Sequence, residues 1–183
     1  QVKKVPIISN LHISPSPGFM LVGDIKFEPE MIEVAGPKEE IALINHLQTL
    51  EDTIDNISTP YNKKIKVFSN QRLIEYKPTH VQISLNIQQI SEKIIADIPV
   101  IINNVPKKIR VFPSPQTVSL TVIGGVQRIA LIDPQEIKVY IDFNDWSSQT
   151  QFYEPKVNLP SGLLNWKDIS PKSLEIAVAR EIR

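Results

Sequence analysis

There is no cysteine in this chain of 183 residues. That removes disulfide bridges, thiol nucleophiles and the common zinc frameworks, and it leaves the compartment open, because reducing and oxidising locations both hold cysteine-free proteins. Six glycines are present, and none belongs to a P-loop or a G-x-S-x-G nucleophile elbow. Neither sign of charge is in excess. Twenty Lys and Arg balance twenty Asp and Glu, so no global field draws in nucleic acid or an anionic membrane surface. Long apolar runs are missing too. No stretch approaches the ~20 apolar residues of a membrane helix. The most hydrophobic segment, residues 94–105, is interrupted by Asp97, Pro99, Asn103 and Asn104, and the chain is expected to be soluble. Residue 1 is Gln, with no leader pattern behind it, so the sequence is read as an excised or processed piece.

What is abundant is proline, with fifteen residues, among short runs of alternating Val, Ile and Leu. A helix interior loses about 3 kcal/mol for each proline, so this density argues for strands and turns. Val81, Ile83, Leu85 and Ile87 alternate with polar residues, as do Ile137, Val139 and Ile141, and Leu174, Ile176 and Val178. Each such run predicts a strand with one buried face. Further strands are expected over residues 4–10, 20–27, 65–68, 94–102 and 108–112. One helix is expected after Gly36, where Pro37, Glu39 and Glu40 suit an amino-terminal turn and Ile41, Ile44 and Leu47 follow at helical spacing. It should run about three turns. A shorter counterpart is expected within residues 126–132, which end at Asp133-Pro134.

The chain repeats itself. Val5-Pro6-Ile7 returns as Ile98-Pro99-Val100, the strand ending at Gly36 returns as one ending at Gly124, Ile54-Asp55 returns as Ile141-Asp142, and the strand led by Pro78 returns as one led by Pro171. Self-similarity of this kind divides the sequence into two homologous modules. Each is large enough, at about 90 residues, to hold a core of its own. The predicted fold class is mainly β, as two tandem small β-rich modules, residues 1–90 and 91–183, each with at most one short helix. Their junction, residues 88–93, reads as a short connection without a Gly or Ser run. The second copy lacks the Ser14-Pro15-Ser16-Pro17-Gly18 stretch and gains a similar length between Asp142 and Pro155.

Chemistry is thinly marked. His12, His46 and His80 form no H-E-x-x-H pattern and read as surface or half-buried histidines. A pocket joining His12 or His46 to carboxylates would favour an enzyme or ligand-binding domain. Gly124-Gly125 suits a turn leaving a strand as well as a phosphate cradle. Asp142-Phe143-Asn144-Asp145 opens like a calcium loop, but its sixth position is Ser147 and its twelfth is Tyr153, where glycine and glutamate are needed. No catalytic residue, cofactor site or metal site is assigned. The candidate site is a protein-interaction surface formed by Trp146, Phe152 and Tyr153 of the gained segment with Trp166, because large rigid rings concentrate at binding hot spots. The same rings would otherwise cover the module's own core.

Val5-Pro6-Ile7, Gly23-Asp24-Ile25, Pro29, the stretch Ile32-Glu33-Val34-Ala35-Gly36-Pro37, Ile54-Asp55 and the closing Pro78 strand together resemble a YbbR-like domain, and the second copy resembles it less completely. It has Gly125 where Gly-Pro would stand, and no good counterpart of Gly18-Phe19 or Val22-Gly23. The resemblance implies tandem binding modules on the outer side of the bacterial cytoplasmic membrane, held there by an amino-terminal segment outside this sequence, without an active site. It implies a protein partner at or near the membrane; in some bacteria such proteins regulate a diadenylate cyclase. Nucleic acid is not expected as a partner. The alternatives are a structural spacer, or a ligand-binding or enzymatic domain.

Overall fold

The computed structural model describes residues 1–180, and the chain falls into two compact units, Gln1–Gln89 and Ile90–Arg183. It is mainly β. In the first unit the strands are β1 (Val2–Ile8), β2 (Leu11–Pro15), β3 (Phe19–Leu21), β4 (Lys26–Glu28), β5 (Met31–Ala35), β6 (Leu47–Thr49), β7 (Asp52–Ile57), β8 (Tyr61–Phe68), β9 (Glu75–Lys77) and β10 (His80–Leu85), with helix α1 (Lys38–Ala42) between β5 and β6. Strand β11 (Ile87–Asn103) begins in this unit, where residues 87–89 pair with β3, and continues into the second. There follow β12 (Ile109–Ser114), β13 (Thr117–Gly125), helix α2 (Val126–Ala130), β14 (Lys138–Asp142), β15 (Lys156–Asn158), β16 (Leu163–Ser170) and β17 (Glu175–Arg180).

The first unit builds a sheet in the order β4-β10-β8-β6-β1-β5-β9, beside a parallel pair of β2 and β7. Alternation buries Val5 and Ile7 on β1, Ile32 and Val34 on β5, Ile65 and Val67 on β8, and Val81, Ile83 and Leu85 on β10. Each such side chain contributes about 1.5–3 kcal/mol of burial, which must outweigh the ordering of the strand that carries it. The second unit orders its strands β15-β14-β11-β13-β16, with β12 and β17 as a separate antiparallel pair. Its core gathers Ile98, Leu120, Val122, Ile137, Val139 and Leu174.

The duplication extends to the register of the strands. Val5 faces Ile32 as Ile98 faces Val118. Ile13 runs parallel beside Ile54 as Ile102 does beside Ile141. Glu33 faces Lys77 as Ser119 faces Ser170, and Gln82 faces Glu28 as Glu175 faces Ser114. Each unit also holds two cis X-Pro peptides: Glu28-Pro29 and Lys77-Pro78, then Ser114-Pro115 and Ser170-Pro171.

Four sequence expectations are corrected. Residues 20–27 are two short strands rather than one, because the chain turns at Gly23, whose φ of 76° suits glycine. Helix α1 has five residues, not three turns. Pro37 stands before its first turn, no side chain caps it, and the Ile44 N–H bonds the Ile41 carbonyl to close its end, leaving Leu47 to pair with Ile7 in the sheet. Helix α2, expected to be shorter, is also five residues long. Residues 88–93 are not a connecting loop, since β11 passes through them as continuous strand.

Candidate functional site

The gained segment of the second unit begins where β14 ends. The Asp142 side chain accepts the Asn144 N–H at 2.9 Å and so caps a single 3₁₀ turn, Phe143–Asp145. It also accepts the Asn104 amide at 3.0 Å. These bonds, the Asn104 contact foremost, hold its carboxyl below the usual aspartate range. The ring of Phe143 stacks on Trp146, with centroids 5.4 Å apart. Turn chemistry thus accounts for the Asp-Phe-Asn-Asp run. Among the described residues no group of three or more His, Asp or Glu side chains is placed to hold a metal ion.

Beyond Trp146 the chain makes a turn, with Thr150 N–H bonded to the Ser147 carbonyl at 3.1 Å. Tyr153 fastens this turn. Its hydroxyl is shared between the carbonyls of Ser147, at 3.0 Å, and Thr150, at 2.9 Å, and it accepts the Ser147 N–H at 3.0 Å. Main-chain bonds in both directions then join Tyr153 to Leu174, just before β17.

The four aromatic residues singled out from the sequence are therefore placed differently. Tyr153 is buried in the core. Trp146 packs partly buried against that core, and so does Trp166, which faces Val122 across β13 and β16. Phe152 alone is open, at 56% exposure. Its neighbour Gln151 reaches back to Glu175, the first residue of β17, at 2.6 Å. On β12, Phe112 is 50% exposed and sits opposite Ala177 of β17. Sequence reasoning missed Phe112, whose exposure is set by its place on β12 opposite Ala177 and not by any local motif. The exposed apolar surface here is thus Phe152 and Phe112 gathered around β17, with Ile176 and Val178 half-buried on its other face.

The remaining candidates lie elsewhere. His12, on β2, comes beside Glu51 and Asp52 in a shallow open depression of the first unit. Asp52 is already engaged: Lys63 donates to it at 2.6 Å and the Thr53 N–H at 2.9 Å, and the Lys63 bond is the main cause of its lowered pKa. His46 lines a second cleft with Leu43, Asn45, Phe68 and Gln71, where no carboxylate joins it. His80 pairs with the neighbouring Thr79 hydroxyl at 3.1 Å. Gly124 and Gly125 end β13 and lead into α2, and Gly124 lies against Leu163 and Ile129, so close packing rather than a phosphate explains that glycine.

These pairings define a duplicated, mainly β protein. Residues 5–85, nearly all of the first unit, match the family model described as YbbR-like protein, which makes that stretch a YbbR-like domain. A crystal structure of a YbbR-like protein from Streptococcus pneumoniae TIGR4 aligns over 99% of this chain and 96% of its own, with 11% identity and a TM-score of 0.38. No curated protein matches.

Proposed function

We propose that this chain is a non-catalytic interaction module of two YbbR-like domains, acting on the outer side of the bacterial cytoplasmic membrane and held there by a segment outside residues 1–183. Its partner is a protein at or near the membrane, and a diadenylate cyclase is the first candidate to test. The location and that candidate rest on the family resemblance. The interaction role rests on one observation, the open Phe152 and Phe112 at the β12–β17 end of the second unit, since large exposed rings mark contact surfaces.

The test is crosslinked capture of partners from membranes by the full-length protein, with and without Phe112→Ala and Phe152→Ala. Loss of a membrane partner in the double variant is the expected result. Capture unaffected by both changes would overturn this placement and favour a spacer. A second reading, a ligand site at His12, is favoured by its proximity to Glu51 and Asp52.

A further inference from the structure

The first unit shows what covers a strand in the position of β17. There β10 lies between β4 and β8, and Lys64, Lys63 and Tyr61 of β8 stand opposite Gln82, Ile83 and Leu85. Ile83 and Leu85 are buried there, at 0% and 2% exposure, with Tyr61 among the side chains packed against them. In the second unit the register places Glu175, Ile176 and Val178 where Gln82, Ile83 and Leu85 stand, with β12 in the role of β4. The counterpart of β8 shrinks to one bridge, Tyr153 to Leu174. The next residues along it, Phe152 and Gln151, make no main-chain bond to β17, Gln151 reaching Glu175 through its side chain instead, and residues 147–150 are held in the turn that the Tyr153 hydroxyl fastens.

Main-chain geometry states what this leaves open. Leu174 directs its N–H and C=O toward Tyr153. Because these groups alternate sides along an antiparallel strand, those of Glu175, Ala177 and Ala179 point to β12, and those of Ile176 and Val178 point outward. Among the described residues no backbone partner meets them. The side chains of the same two residues are only half-covered. Edges left this way are ordinarily guarded by shortness, charge or proline. Here β4, β9 and β15 have three residues each, β12 carries Pro113, and β16 carries Lys167 and a bend at Asp168. β17 is charged only at its ends, Glu175 and Arg180, and its middle, Ile176-Ala177-Val178-Ala179, has none of these devices.

Resting on the interaction role proposed above, we infer that the free edge of β17 accepts an extended strand of the partner protein, antiparallel to it. That strand carries bulky apolar groups or long aliphatic stems opposite Ile176 and Val178, as Lys63 and Tyr61 supply in the first unit, and a basic residue opposite Glu175, where Lys64 faces Gln82. A second copy of β17 fits less well. Outward-facing residues must pair with one another, so Ile176 facing Val178 would set Glu175 against Ala179, with no cation opposite it.

The probe is a synthetic peptide with the sequence of residues 57–66, added to the full chain, with amide exchange read at Ile176 and Val178. Both amides should exchange freely alone and slow by about tenfold or more with peptide. Val178→Pro removes an outward N–H while sparing the bonds to β12, and should abolish the protection. Glu175→Lys should weaken binding, and the peptide with Glu in place of its residue-64 Lys should restore it to that variant. Unchanged exchange at millimolar peptide, or protection that survives Val178→Pro, overturns the inference. So does protection that grows with protein concentration without peptide, which would make the edge a contact between copies. If membrane partners are still captured by the Val178→Pro protein, the interaction role stands and the edge is not its site.

Discussion

Tyr153 takes the place in the second unit that Ile65 holds in the first, each facing the start of the last strand, and where isoleucine is wholly apolar the tyrosine adds a hydroxyl. The Tyr153 ring fills the core, while its hydroxyl satisfies main-chain groups of the turn formed by residues 147–150. Tyr153→Phe keeps the ring and leaves those groups without their partner, so it should lower the stability of the second unit by about 1–3 kcal/mol in urea unfolding. The sequence marks Tyr153 as aromatic, yet nothing in its neighbours says that its hydroxyl would turn back onto its own loop; that depends on the path from Asp142 to Tyr153. Glu136 shows the same dependence. Its carboxylate accepts from Arg128 at 2.6 Å and from the Asp133 N–H at 3.0 Å, and the guanidinium bond is the main cause of its lowered pKa. Folding favours its ionised form, so its contribution is fully present above the unfolded-state pKa and is lost as pH falls through the folded value. A carbon-detected NMR titration should find the Glu136 midpoint below the ordinary glutamate range, and Arg128→Gln should raise it. The pair is at the surface, so the effect on stability is small.

At the scale of elements, Gly36 and Gly124 are repeated because each is a point of close approach. A Cβ on Gly36 would lie 2.9 Å from the Leu73 carbonyl oxygen, and one on Gly124 would lie 2.9 Å from Leu163 Cδ2 and 3.2 Å from Ile129 Cγ2. Gly36→Ala pushes on backbone and should cost about 1–3 kcal/mol in thermal unfolding. Gly124→Ala meets side-chain atoms first, with the Gly162 carbonyl oxygen further off at 3.3 Å, and should cost less. The alternating runs made the strands legible: Val81, Ile83 and Leu85, and Ile137, Val139 and Ile141, are all buried. The helix after Gly36 was legible in place but not in length. Ile41, Ile44 and Leu47 are indeed all buried, and helical spacing does not say that Leu47 reaches the core from a strand. The β17 edge was the least legible of all. Its sequence alternates like that of β10, and what distinguishes them is a partner strand that is present in one unit and shrinks to one bridge in the other.

For the whole molecule, the repeat seen as scattered Val-Pro-Ile, Gly and Ile-Asp landmarks appears in space as matching antiparallel and parallel pairings. The aromatic cluster expected from the gained segment and Trp166 separates into three rings that serve the core and one that faces out, because position in the sequence does not reveal which face of a loop a ring occupies. One feature of the first unit governs how the chain comes into being. Its last strand, β10, is inserted between β4 and β8, and β1 waits in the same sheet for β6. As residues leave the ribosome from the amino end, the early strands emerge long before the one that joins them. The unit cannot close until residues 80–85 are clear, and until then its apolar runs are exposed to whatever chaperone or export machinery meets a growing chain.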